Sequence, residues 1–323
     1  MVSLDDIRLA QRRLSGVAVR TPLILCPRHQ ADRRLYFKPE NLQPVGAFKL
    51  RGAYNKIASL SEAERRRGVI AFSSGNHAQG VAYAARALGV RAVIVMPETA
   101  PRVKVSRTAA MGAEIVLLGE GGEEQWRVRA EELAAAHGYV MVAPFNDETV
   151  IAGQGTVGLE ILEDLLGAGT VLVPVGGGGL LSGVAAAIKL SRPDVRVIGV
   201  EPELANDAQV SFRSGRIVEF PLDQTRRTVA DGMRATRLGD ITFAHIRAFA
   251  DDIITVSEDE IREATRRLAL GAHLVAEPSG AVTFAAFLFH RQELPEALWN
   301  VAILSGGNIA PETLRQILTD DPV

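Results

Sequence analysis

The chain has 323 residues, 47% of them hydrophobic, enough for one or two globular domains with a full-sized core. Its 36 basic side chains nearly balance 38 acidic ones, and a formal charge of -2 gives no reason to expect nucleic acid or an anionic membrane as partner. The single cysteine, Cys26, excludes an intrachain disulfide and a thiolate metal cluster, the start MVSLDDIRLAQRR lacks the apolar core of a signal peptide, and no apolar run approaches the roughly 18 residues of a membrane span, so a soluble, cytoplasmic protein is expected.

The first informative stretch runs from Phe37 to Ile57, FKPENLQPVGAFKLRGAYNKI. Lys49 stands there in a Gly-Ala-Phe-Lys turn, where a strand pattern gives way to a helix pattern. One reading is a solvated lysine in a first helical turn. The other is an amine walled in by Phe48 and apolar neighbours, where desolvation lowers its pKa and makes it a nucleophile for an aldehyde.

Strand-like runs follow: GVIAFSS, RAVIVMP, EIVLLG and YVMVAP between Gly68 and Pro144, with helical stretches near 76–88, 101–111 and 123–136. A second series comprises TVLVPV from Thr170, VRVIGVE from Val195, DIITVS from Asp252 and NVAILS from Asn300. Short buried-looking strands alternating with helices predict parallel sheets covered on both faces. The four strands between 68 and 145 can close a small sheet of their own, while the later ones need a partner that Leu35 to Lys38 can supply. The expected organisation is therefore α/β with two domains, a discontinuous large one over 1–67 and 146–323 and a small one over 68–145, with a cleft between them.

Three loops at strand ends carry the chemistry. SSGNHAQG, Ser73 to Gly80, places small polar residues at a helix start and suits a carboxylate or phosphate. An ordinary N-cap by Ser74 or Asn76 explains it equally well. His77 is left open between a structural hydrogen-bonding group and a general acid. PVGGGGL, Pro174 to Leu180, bares successive backbone N–H groups before a helix, a nest for phosphate oxygens. It is neither GxGxxG nor a Walker motif, so neither a nicotinamide dinucleotide nor a nucleoside triphosphate is the natural guest. SGGN, Ser305 to Asn308, follows VAIL and offers a neutral hydroxyl to a ring nitrogen. An amine for an aldehyde, a nest for one phosphate and a neutral partner for a heteroaromatic nitrogen are together what pyridoxal phosphate requires.

From about Thr21 to Asn308 the chain resembles the serine/threonine dehydratase and serine racemase family of pyridoxal-phosphate fold type II, a two-domain, tryptophan synthase β-like fold with a mostly parallel, helix-flanked sheet in each domain. GAFKLRGA resembles the family's cofactor segment, which implies Lys49 as the Schiff-base lysine. The resemblance further implies that Phe48 and Gly232 sandwich the ring, Asn76 bonds the 3-hydroxyl, and Gly176, Gly177, Gly178 and Gly179 hold the phosphate. Ser305 would face the pyridine nitrogen. Ser73, Ser74, Asn76 and His77 would receive the substrate carboxylate, with Ser74 as the acid/base on the face opposite the lysine.

VEPELAND resembles the divalent-cation site of the racemase-like branch, implying Glu201, Asp207 and the Ala205 carbonyl as ligands for Mg, Mn or Ca. Read without the family, two acids six residues apart are surface charges. The racemase pattern also has an arginine in the helix after the third small-domain strand. Gln125 or Trp126 falls there, and a one-residue shift would restore it as Arg127. Because the chain ends at Val323, soon after the SGGN loop, the regulatory domain of the long threonine dehydratases is not expected.

The resemblance implies elimination of water and ammonia from L-threonine or L-serine by a pyridoxal-phosphate-dependent ammonia-lyase, and family precedent suggests a homodimer. The alternatives are a serine racemase with dehydratase side activity, a threo-3-hydroxyaspartate dehydratase, a β-replacement enzyme, and a non-catalytic binder of a phosphorylated metabolite.

Overall fold

Every apolar run singled out above forms a strand. The computed structural model describes residues 1–27, 33–100, 102–119 and 123–319. Pro101, expected to open the second of the three helical stretches, lies outside them. The strands are β1 (Ile24–Leu25), β2 (Arg34–Pro39), β3 (Val69–Phe72), β4 (Ala92–Pro97), β5 (Glu114–Leu118), β6 (Val140–Met141), β7 (Thr170–Pro174), β8 (Arg196–Pro202), β9 (Asp252–Val256) and β10 (Trp299–Leu304).

Among the described residues they make two sheets, one six-stranded in the order β1-β2-β10-β7-β8-β9 and one four-stranded in the order β5-β4-β3-β6. All pairings are parallel except β1 with β2. As expected, β2 is the partner that completes the larger sheet, with Phe37 opposite Ala302. The short β1 has no counterpart in the sequence reading. Its two residues pair antiparallel with Tyr36 and Phe37 at the sheet edge.

Helices cover both faces, so strand residues are buried on either side rather than alternating in and out of water. Successive side chains of β7 feed opposite cores. Val171 and Val173 pack with Val184 and Ile188 of the helix Gly179–Ser191, while Leu172 packs with Phe284 of the helix Pro278–Phe289.

The helix Lys49–Ser59 lies between the two sheets. Leu50, Ala53 and Ile57 join the core of the small sheet, beside Val69, Ala71 and Val81. On its other side the helix Glu148–Asp164 approaches so closely that a Cβ on Gly153 would sit 2.7 Å from the Arg51 carbonyl oxygen. No helix among the described residues is long and apolar enough to cross a membrane.

Candidate active site

The carboxyl ends of β2, β3, β7 and β10 open into one cavity of about 430 Å3, lined among others by Lys49, Ser74, Asn76, Gly177, Gly232 and Ser305. Ligands of open parallel sheets gather at such strand ends. The three loops read from the sequence are therefore one place in space, although 232 residues separate Ser73 from Ser305.

Lys49 is the first residue of its helix, half-buried, and its Nζ donates to the Pro144 carbonyl at 2.8 Å. That carbonyl belongs to the segment just after β6. Phe48, whose ring centroid lies 5.3 Å from Nζ, precedes it with an N–H bonded to the Ser305 carbonyl at 3.0 Å. Ser305 is buried and its Oγ donates to the Ser279 carbonyl at 3.3 Å. Ser279 Oγ in turn accepts the Gly232 N–H at 2.9 Å.

At the SSGN loop the structure decides against the N-cap reading. The N-cap of the helix Asn76–Ala87 is Gly75, with no side-chain cap hydrogen bond. Asn76 instead donates to Glu277 at 2.6 Å and accepts from Asn308 at 2.9 Å, and Ser73 Oγ accepts the Gly75 N–H at 3.2 Å. The first-turn N–H groups are thus left for an anion.

His77 is buried, and its Nε2 lies 2.9 Å from the Val142 carbonyl, which can only accept. The ring is therefore a neutral Nε2–H tautomer. Burial and then the Lys49 charge push its pKa down to about 3, so it holds no second proton to give near neutral pH.

The glycine turn is shaped by what it lacks. Gly178 has φ +90°, open to glycine and strained for other residues, and a Cβ on Gly177 would sit 2.3 Å from the Phe145 ring. Lining one cavity with an amine and a neutral hydroxyl, this bare turn fits pyridoxal phosphate.

Among the cavity residues that escaped the sequence reading are Glu277 and Lys104. Glu277 is buried, and burial followed by the Asp231 charge pushes its carboxyl up to about 7, against the hydrogen bond from Asn76. Lys104 Nζ reaches across to Asp231 Oδ2 at 3.0 Å. Asn308 ties Asn76 to the Val45 carbonyl. Trp126 supplies an uncharged wall, whereas Arg127 is turned to Glu124 and Glu131. The one-residue shift considered above therefore does not bring an arginine into the cavity.

The acid pair lies elsewhere, at the carboxyl end of β8. Glu201 is fully buried and accepts the N–H groups of Ala208 and Gln209 at 3.1 and 2.8 Å. Asp207 is 1% exposed, and its Oδ2 has no partner among the described residues. Burial pushes Asp207 up to about 8, and burial plus Asp207 itself raises Glu201 well above the carboxylate range. The surface-charge reading is excluded by this burial. No group of three or more His, Cys, Asp or Glu side chains suited to a metal occurs among the described residues. A two-acid site completed by the buried Ala205 carbonyl fits a hard cation, which takes such oxygens together with water.

Comparisons with known proteins agree with this geometry. A family model described as pyridoxal-phosphate dependent enzyme matches residues 14–306. The chain is 46% identical to an L-threonine ammonia-lyase of Thermotoga maritima over 98% of its own length and 78% of the relative's. It is 45% identical to an L-threo-3-hydroxyaspartate ammonia-lyase of Saccharomyces cerevisiae, over 94% of this chain and 92% of the other. The solved structure of maize serine racemase superposes with a TM-score of 0.92 at 37% identity, covering 98% of this chain and 96% of that one.

Proposed function

Since the chain belongs to the family of pyridoxal-phosphate-dependent enzymes, we propose that it is an ammonia-lyase that dehydrates and deaminates L-threonine and L-serine to a 2-oxo acid and ammonia. The observation that carries this reading is the shared cavity in which the Lys49 amine, the Gly176–Gly179 turn and Ser305 meet. A non-catalytic binder has no use for an amine there. Bound at Lys49, Phe48, Asn76, Gly176 to Gly179, Gly232 and Ser305, pyridoxal phosphate supplies an aldehyde for the lysine and an electron sink for the substrate.

The chain's own groups then do the following. The uncapped N–H groups after Gly75, with Ser73 and Ser74, take the substrate carboxylate. Released by the incoming amino acid, the Lys49 amine removes the α-proton. Ser305 contributes a neutral hydroxyl facing the ring-nitrogen position, and the β-hydroxyl leaves as water with the proton that Lys49 has taken. Water then completes release of ammonia. His77 orients the loop as a neutral donor rather than supplying protons.

Two features favour neutral β-hydroxy amino acids over dicarboxylates. Trp126 walls the cavity without charge, and of the lining cations Lys104 is committed to Asp231 and Arg234 to the Thr228 carbonyl. Arg226, exposed at the cavity wall, is left as the candidate partner of a distal carboxylate in the 3-hydroxyaspartate reading. A racemase reading is supported by the Ser74 hydroxyl in the cavity, a second proton donor for the α-carbon.

We assign a divalent cation, Mg, Mn or Ca, to Glu201, Asp207 and the Ala205 carbonyl, on the strength of the partnerless Asp207 oxygen. Residues 1–67 and 146–323 are taken as the cofactor-holding domain and 68–145 as the smaller one. A cytoplasmic homodimer is also proposed. Exposed Leu42 and Val275, adjacent through the Asn41–Val275 bond, offer apolar surface to a second copy.

The test is an assay of L-threonine, L-serine and both 3-hydroxyaspartate diastereomers, scoring 2-oxo acid and D-amino acid together. Lys49→Ala should lower turnover by roughly 10³-fold or more and abolish the visible band of the lysine-linked cofactor. Full activity in that variant ends the assignment. Ser74→Ala should lose racemisation while elimination persists, and equal loss of both removes Ser74 as a separate acid/base.

A further inference from the structure

Behind the helix that carries the amine lies a closed set of buried charges that the elimination chemistry does not use. Arg51, 1% exposed, donates one fork to Glu40, Nε to Oε2 at 2.7 Å and Nη2 to Oε1 at 2.8 Å. It donates a second to Glu160, Nη1 to Oε1 at 2.6 Å and Nη2 to Oε2 at 2.9 Å. Lys38 Nζ adds bonds of 2.6 Å to Glu160 and 2.7 Å to the Thr21 carbonyl. Thr21 and Gln43 donate to Glu40, and Thr156 accepts from Arg51. Two cations thus meet two anions, and the charges cancel.

Desolvating four ions is costly, and apolar side chains of similar volume would commonly hold such an interior at least as well. What a forked guanidinium adds is direction, because two parallel bonds fix the plane as well as the position of the group. Here both carboxylates grip the same guanidinium, from different parts of the chain. Glu40 sits in the turn Glu40–Leu42 after β2, and Glu160 on the helix Glu148–Asp164.

Arg51 and Lys49 are two residues apart on one helix, about 200° around its axis, so they occupy opposite faces. Rolling the helix to move Lys49 along the cavity would pull Arg51 out of both forks. We propose that Arg51 is a positioning residue for the reaction, clamping the rear of the helix and thereby fixing the angle at which Lys49 presents its amine to the cavity. The proposal rests on the reading of Lys49 as the cofactor lysine.

The experiment compares Arg51→Lys with Lys38→Met in the holoenzyme, at a temperature where circular dichroism shows both folded. Lys38→Met removes a cation from the same cluster but leaves both forks on Arg51. The readouts are kcat and KM for L-threonine and the rate at which borohydride fixes the cofactor to Lys49, followed by the mass of the peptide bearing it. Arg51→Lys should lower kcat about a hundredfold with KM moving less than about threefold, and should slow fixation, whereas Lys38→Met should keep kcat within about twofold.

Parental kcat and fixation in Arg51→Lys overturn the proposal, as does an equal loss of kcat in Lys38→Met, which marks the cluster as merely structural. If Arg51→Lys does not fold, Glu160→Gln, which keeps the side-chain shape and weakens one fork, takes its place under the same criteria. Fixation needs no substrate. A parent enzyme that fixes the cofactor to Lys49 but leaves L-threonine unchanged therefore refutes the substrate reading alone, and the fixation rates still decide the role of Arg51.

Discussion

Glu40 and Glu201 are both fully buried acids near the carboxyl end of a strand in the same sheet, yet their surroundings drive them in opposite directions. Burial pushes Glu40 up, but the Arg51 charge and its fork outweigh that and hold the carboxyl below its ordinary value. Burial pushes Glu201 up too, and there the nearest ionisable neighbour is another acid, Asp207, which drives it further. One region carries its own counter-charge in covalent form. The other shows none among the described residues, and the partnerless Asp207 oxygen lies where the proposed cation would supply it. Depth of burial alone therefore says little about an acid; the sign of its neighbours decides whether the site is finished or waiting for an ion.

The sharpest way to break this contrast is to make the balanced region resemble the unbalanced one. Arg51→Met should leave two buried carboxylates without their shared partner and cost about 3–5 kcal/mol in chemical denaturation. A loss below about 1 kcal/mol, within the range of exposed pairs, would mean that water reaches the cluster.

The next effect belongs to the acid pair. Mg or Mn at a hundred times its dissociation constant should stabilise chelator-treated parent protein by about 2.7 kcal/mol, a gain that Asp207→Asn should lose without becoming less stable than the metal-free parent. A parent indifferent to both ions removes Glu201, Ala205 and Asp207 from the site.

The smallest effect is on acid stability. Because the folded value of Glu40 lies below its unfolded value of about 4.5, its contribution is complete above that pH and is lost as pH falls through the folded value. Denaturation midpoints should drop on acidification below about pH 4.5, and Glu40→Gln should flatten that limb of the curve. An unchanged slope in the variant would place the acid sensitivity elsewhere.

The same contrast explains what was legible beforehand. Strands β3, β4, β7, β8, β9 and β10 announce themselves as continuous apolar runs, and the loops after them by their glycines and serines. Lys49, Ser305 and the glycine turn could be read because their side-chain chemistry, or its absence, is local. The charge cluster could not. Lys38, Glu40 and Arg51 look in the sequence like polar punctuation around LQPVGAF, and Glu160 lies 109 residues from Arg51. Glu277 was invisible for the same reason, meeting Asn76 across 201 residues. Local logic left capping by Ser74 or Asn76 open as an alternative, and only the fold shows the Asn76 side chain turned to Glu277 and Asn308 instead. Strand β1 escaped because a two-residue edge carries no periodicity.

The bond from the Phe48 N–H to the Ser305 carbonyl has one further consequence. It staples the peptide unit just ahead of the lysine to the end of the innermost run of the big sheet, so the amine and the serine hydroxyl ride on a single stiff frame. Any shift of one of these backbone segments therefore carries the other with it.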